Sequence, residues 1–320
     1  MPHALISRPL GNVERLVLQH ETGAELDVLS GRGGCLVGWR VVRNGQTHEL
    51  LDGYASEADL HERYYSSHCG ARLSPFPNRV KDGRWSFQGK AYQLPKNFPW
   101  ENGHAIHGLL FDLPWQRTEF VRNGDIAQLT LACLYDGAQA GFPFAYRAIN
   151  RYSLTAQGFS VETEVENIGD HDLPLGEGWH PYFRTGASID NACLQMGSPV
   201  KKLEVDDRSI PTGISVPDAE FQTSQRIGAH NFNTCWEFAG PGSLAEVFLT
   251  DPQTARAFRY WQERGPGQYN YLQLYIPPQR ESLAIEPMTC PPDVLNNQLG
   301  LIILAPKASH TLRWGVEVKL

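Results

Sequence analysis

The sequence predicts an all-β protein, a large antiparallel β-sandwich with few short helices. Three observations carry that reading. Hydrophobic residues alternate with period two in several stretches, two-residue turn signals separate those stretches, and 22 prolines and 30 glycines leave little room for long helices.

Within residues 160–166, Val161, Thr163 and Val165 share one face, while Glu162, Glu164 and Glu166 share the other. Within 311–320, Leu312, Trp314, Val316, Val318 and Leu320 face one way, and Thr311, Arg313, Glu317 and Lys319 the other. Leu129, Leu131 and Cys133 repeat the pattern. Each is a strand with one side in a core and one in water, because successive Cβ atoms point to opposite faces. Asn44-Gly45 and Asn123-Gly124 read as hairpin turns, since both residue types tolerate positive φ. Gln88-Gly89 and Gln157-Gly158 are weaker turn signals of the same kind. A short helix is expected over 56–68, with Ser56 as its cap and Asp59 as the capping-box acid. No linker, repeat or low-complexity segment divides the 320 residues, so 1–320 reads as one domain.

Composition narrows the function. The net charge of −7 shows no basic stripe for a nucleic acid or an anionic membrane surface. Residues 1–10 have no apolar signal core, and the longest apolar run, 299–306, is too short to span a bilayer. Cys35, Cys69, Cys133, Cys193, Cys235 and Cys290 have no zinc-ligand spacing and are expected as reduced thiols in a cytoplasmic protein.

Four segments depart from ordinary strand or turn sequence: 70–80, 102–108, 178–183 and 284–293. His180 lies between aromatics and before a proline, so its backbone should be extended. Its imidazole suits either a proton donor or a histidine packed among Trp179, Tyr182 and Phe183. His107 precedes Gly108, where backbone or ligand can approach closely. His104 and His107 lack the His-Glu-x-x-His spacing of a helical metal site, and no metal is expected. Glu286 closes a strand over 282–285, and Pro287 should block its continuation in a central ladder. A carboxylate there is either a general base facing a pocket or an exposed edge residue. Arg79 has a fork suited to sugar hydroxyls, or to an acid on the surface. Gly31-Arg32-Gly33-Gly34 precedes no helix pattern and is no dinucleotide fingerprint; a phosphate loop and a nucleophile elbow are also missing.

Taken together, these segments resemble the bacterial branch of the aldose 1-epimerase (galactose mutarotase) family. The order matches: Asn78-Arg79, a hairpin over 83–89, His107-Gly108, His180-Pro181-Tyr182-Phe183, then Glu286-Pro287-Met288-Thr289 with Pro292-Asp293. Pro211-Thr212-Gly213 resembles a loop that follows the His-Pro-Tyr-Phe strand. The likeness runs from about Gly11 to the C-terminus. It implies a β-sandwich that interconverts the α and β anomers of a free aldose without a cofactor, its partner being the small-molecule sugar. It implies Glu286 as base, His180 as acid, His107 as a donor to the ring oxygen, and Asn78 and Arg79 as sugar-binding residues. The family commonly has a sugar-binding aspartate where this chain carries Asn233, which leaves the sugar specificity open. Two rivals share the fold: a hexose-6-phosphate 1-epimerase, for which Arg72, Arg79, Lys81 and Arg84 would be the basic cluster, and a non-catalytic sugar-binding protein.

Overall fold

The computed structural model describes residues 2–97 and 103–320. Three antiparallel sheets dominate. The N-terminal sheet has five strands, from Ala4–Ser7 to Gln46–Glu49, in simple sequence order. A nine-stranded sheet runs from Gln116–Asn123 through Tyr146–Leu154, Gly158–Asn167 and Ser309–Lys319 to Arg256–Glu263 and beyond. An eight-stranded sheet contains Asn233–Phe238, Tyr271–Tyr275, Leu283–Met288, Gly178–Trp179 and Arg72–Leu73 in spatial order.

The alternation works as the sequence requires. In Gly158–Asn167 the residues Val161, Thr163 and Val165 are buried, while the glutamates between them are half-exposed. Leu312, Trp314, Val316 and Val318 are buried in Ser309–Lys319. These faces join one core with residues of the eight-stranded sheet, among them Trp236, Leu272, Leu274, Phe183 and Ile285. The opposite face of that sheet is left to carry polar groups.

Turn chemistry agrees in kind and differs in detail. Asn44-Gly45 is a two-residue loop with φ of 52° and 74°. Gln88-Gly89 is another, with φ of 47° and 78°, and so a stronger turn than its glutamine suggested. The third hairpin slips by one residue. Asn123 pairs with Ile126, which leaves Gly124-Asp125 as the loop with Gly124 at the left-handed position. Helix Glu57–Ser67 is capped by the Ser56 hydroxyl, but Asp59 accepts from the Ala55 N–H, one residue beyond a standard box. A second helix is four residues long, Val294–Asn297.

Two expectations are corrected. Pro211-Thr212-Gly213 is no loop; it opens the strand Pro211–Asp218 beside a register irregularity. Glu286 does not close its strand either. Leu283–Met288 continues through Pro287 and is paired on both sides. The Ile285 N–H points to the Pro181 carbonyl, so by alternation the Pro287 nitrogen points the same way. In register that nitrogen faces Trp179, the last residue of Gly178–Trp179, so the missing donor falls where the flanking strand breaks before Tyr182–Phe183. Among the described residues, no helix is long and apolar enough to cross a membrane.

Candidate active site

Three neighbouring strands build one wall. Gln273 lies directly opposite Glu286 and also opposite Cys235, so all three project from the same face of the sheet. Period two adds Asn233 and Tyr275 to that face. The split in the fourth strand supplies His180, between Trp179 and Tyr182. Its ring stacks on Tyr182 at 4.8 Å between centroids.

The opposite wall is a pair of tight turns. Asn78 has φ of 56°, and its side-chain oxygen accepts from the Arg79 N–H at 3.0 Å and from Arg79 Nη1 at 2.8 Å. The guanidinium is thus aimed by its own neighbour. His107, at φ of 60°, is held by two backbone bonds: it donates its N–H to the Asn78 carbonyl, and its Nδ1 accepts the Asn78 N–H at 3.2 Å. Accepting at Nδ1 assigns the proton of the neutral ring to Nε2. Gly108 is required, because a Cβ there would run into the Ser74 carbonyl oxygen. Asp293 locks this wall to the sheet: it donates its N–H to the Arg79 carbonyl at 2.6 Å and accepts the Lys81 N–H at 2.8 Å.

One pocket brings all six expected site residues together: Asn78, Arg79, His107, His180, Asn233 and Glu286. His180 Nε2 lies 3.4 Å from Glu286 Oε1, and both side chains are almost wholly buried. Glu286 Oε2 and His180 Nδ1 have no hydrogen-bond partner among the described residues. The His107 and His180 rings meet edge-on at 5.2 Å. Burial pushes the Glu286 carboxyl well above the usual carboxylate range, and Arg79 pulls it partly back. Burial lowers His180 to about 3, with His68 adding to the effect. Burial likewise depresses His107, helped by His68, His180 and Arg79.

The lining residues not singled out in the sequence include Gln273, Tyr275 and His68. Gln273 donates to Asn233 Oδ1 at 2.9 Å. Tyr275 edges toward His180 at 6.4 Å. His68, the left-handed cap residue after helix Glu57–Ser67, packs its ring 4.6 Å from that of His107. Only the helix end could have drawn attention to it.

Other sequence candidates go elsewhere. His104 accepts the Asp82 N–H at 2.9 Å, away from the pocket, and no group of three or more metal-ligating side chains gathers among the described residues. The four basic residues of 72–84 do not converge. Arg72 is fully buried against Glu177, Lys81 and Arg84 are exposed, and only Arg79 lines the pocket. Asn102 lies outside the described residues.

The sequence model of the family described as Aldose 1-epimerase matches residues 14–316. The chain belongs to the aldose 1-epimerase family. Among relatives, the uncharacterized protein YihR of Escherichia coli is 32% identical over 258 residues, spanning 78% of this chain and 79% of that one. The aldose 1-epimerase of Escherichia coli is 25% identical over 207 residues, spanning 63% of this chain and 58% of that one. A galactose mutarotase-like protein from Clostridium acetobutylicum superposes with a TM-score of 0.85 at 19% identity, covering 99% of this chain and 98% of the other. At that identity the likeness is one of fold, the galactose mutarotase-like β-sandwich. Within the family's fold, the pocket lies on the face of the eight-stranded sheet that is turned away from the main core.

Proposed function

We propose that this protein is an isomerase that interconverts the α and β anomers of a free aldose. The observation that carries the reading is the buried pair of Glu286 and His180, 3.4 Å apart in a pocket that also holds His107 and Arg79. Anomer exchange moves one proton off the C1 hydroxyl and one onto the ring oxygen. Ionised Glu286 takes the first. The C1–O5 bond breaks, its electrons pass to the ring oxygen, and protonated His180 supplies the second. Rotation about C1–C2 then presents the other face of the aldehyde. On closure neutral His180 takes the proton of the attacking hydroxyl, and Glu286 returns its own to the carbonyl oxygen.

The pair therefore carries one proton at every stage, as an ion pair before opening and as two neutral groups while the sugar is open. Burial, which raises Glu286 and lowers His180, favours the neutral form that must persist in the open state. Arg79 opposes that shift at Glu286 and keeps the ionised form within reach. The Nε2–H of His107 supplies a hydrogen bond to the ring oxygen as charge develops there. No electron or group is transferred to another molecule, so the chemistry balances without a cofactor. Six free cysteines suit a reducing compartment, and we place the activity in the cytoplasm.

Family membership and the Escherichia coli relative named aldose 1-epimerase support this reading. Polarimetry of freshly dissolved α-glucose and α-galactose tests it. The protein is expected to speed the approach to equilibrium rotation; an unchanged rate for every aldose tried would remove the proposal.

A further inference from the structure

The pocket holds a third histidine that the proposed chemistry does not use. His68 follows helix Glu57–Ser67 at φ of 47° and ψ of 33°, a left-handed cap position where glycine is usual. The chain after it is fixed against His180: Gly70 donates its N–H to the His180 carbonyl at 2.9 Å, and His180 donates its own to the Ala71 carbonyl at 3.0 Å. The His68 ring sits 4.6 Å from that of His107 and meets Phe111 edge-on at 4.9 Å. The residue is 3% exposed, and its Nε2 has no hydrogen-bond partner among the described residues. Packing alone does not ask for that nitrogen. A phenylalanine ring would fill the same space, and a buried polar atom without a partner is destabilising. The same condition marks Glu286 Oε2 and His180 Nδ1, which belong to the same pocket.

Burial lowers His68 to about 3, so its ring is neutral near pH 7, with one nitrogen a donor and the other an acceptor. That pairing suits a hydroxyl and supplies no charge for an anion. Its place in the pocket says which hydroxyl. The side chains follow one another as Glu286, His180, His107 and His68, with 3.4 Å from carboxylate to ring nitrogen, then 5.2 Å and 4.6 Å between rings. The proposed reaction sets C1 against Glu286 and the ring oxygen between His180 and His107. The ring oxygen of a pyranose is bonded to C1 and to C5. C5 therefore lies across that oxygen from C1, and the group it carries extends toward His68. The other hydrogen-bonding side chains beside His68 are engaged within their own helix. Ser66 and Ser67 both donate to the Arg63 carbonyl, at 3.1 Å and 2.8 Å.

We infer that His68 is a further substrate-binding residue, whose imidazole hydrogen-bonds the C6 hydroxyl of a hexose and so sets a preference for aldoses that carry it. The inference rests on the proposed anomerisation. A sugar without that hydroxyl leaves the buried nitrogen unpaired through the whole reaction, so the discrimination appears in kcat/KM.

The test measures anomerisation of glucose, 6-deoxyglucose and xylose, which carry CH2OH, CH3 and H at C5, and of the matching galactose series, each corrected for the spontaneous rate. In the faster series, wild type is expected to favour the hexose over its 6-deoxy form by about tenfold in kcat/KM, the worth of one hydrogen bond. His68→Phe keeps the ring and removes its nitrogens, and should bring that ratio to within about twofold of one. His68→Asn suits the left-handed cap and carries a shorter hydrogen-bonding group, so it should lower the ratio to about threefold. That second variant keeps the test open if His68→Phe does not fold. Variants that slow the hexose and its 6-deoxy form by the same factor would show that His68 only packs against His107, and would overturn the inference alone. So would a wild type that turns over the two sugars equally well. No turnover in either series would overturn both this inference and the reading it rests on.

Discussion

Two glutamates sit on adjoining parts of the eight-stranded sheet, both with almost no exposure, and their surroundings are opposite. Glu177 precedes Gly178, which pairs with Met288, two residues beyond Glu286. Glu177 is fully provided for: Arg72 Nε donates to one oxygen at 2.9 Å and the Ser74 hydroxyl to the other at 2.5 Å, while Arg72 Nη1 reaches Asn150 at 2.8 Å. Its backbone is tied in too, its N–H bonded to the Thr289 hydroxyl and its carbonyl to the Thr289 N–H. Glu286 has a histidine at 3.4 Å and one oxygen with no partner among the described residues. A buried carboxylate with a donor on each oxygen fixes strands; one left short of donors keeps a proton available. The contrast separates the group that holds the site from the group proposed to do its chemistry.

The largest expected effect tests the unprovided member. Glu286→Gln keeps the shape and removes the base, so mutarotation should fall by roughly 10²–10⁴-fold. Stability should move the other way. Because burial raises the folded-state pKa of Glu286, its favourable contribution is complete below the unfolded-chain value and is lost as pH rises through the folded one. Glu286→Gln removes that loss, so the variant should melt higher than wild type at neutral and alkaline pH, with the gap closing toward acid. Thermal melts across pH, beside polarimetry, check both halves. A variant with near-normal activity, or one less stable at every pH, breaks the comparison at this end.

Glu177→Gln tests the provided member. It leaves the buried Arg72 without its countercharge, and breaking such a pair costs about 3–5 kcal/mol. The loss should show in denaturant midpoints, and whatever protein remains folded should bind sugar at the same site. A neutral effect on stability would show that Arg72 and Asn150 manage without the carboxylate.

The histidines sharpen the contrast within the pocket. His180→Asn removes the proton donor but keeps a hydrogen-bonding group, so turnover should fall by about 10²-fold or more while sugar affinity changes little. His107→Asn should be milder, on the order of tenfold, because only a hydrogen bond is altered. The pH profile adds a second readout. A pair that must hold one proton loses activity when it gains a second or sheds the one it has, so kcat/KM should show two limbs that belong to the pair. Replacing either member of the pair, by Glu286→Gln or His180→Asn, should collapse them to one. Reversed severity of the two histidine variants would exchange their roles.

Much of this was legible in the chain, and the exceptions share a cause. Strands were readable at 160–166 and 311–320 because burial of one face is written locally, as alternation. His107, His180 and Glu286 stood out because each lies beside a proline or glycine that ordinary strands avoid. Gln273 and Tyr275 belong to an unremarkable alternating strand, and only its pairing with Leu283–Met288 places them beside Glu286. Arg72 was grouped with Arg79 by nearness in sequence, yet it turns inward to Glu177, 105 residues away. Pro287 was read as a strand end because one residue's missing N–H says nothing about the neighbouring strand, which is interrupted where that donor would have pointed.

The smallest expected effect concerns Asn233, at the edge of the same row. It is exposed, begins the strand Asn233–Phe238 and accepts from Gln273, the residue opposite Glu286. Asn233→Asp would place a further carboxylate on the Glu286 face of the sheet, one that is not buried as Glu286 is. Open to water, it should stay ionised and leave the Glu286 and His180 pair unchanged. A charged acceptor makes hydrogen bonds roughly twice as strong as a neutral amide does. The change should therefore act on binding of one hydroxyl away from the reacting carbon. Wild type, with its neutral amide, is expected to tolerate aldoses that differ at a single ring position. Asn233→Asp should spread their relative kcat/KM values by about tenfold, with kcat for the best sugar within about twofold of wild type. Competition between pairs of epimeric aldoses measures this directly. Identical relative rates in the two proteins would mean that Asn233 serves only to hold Gln273, and that specificity at that hydroxyl is set by other residues of the wall.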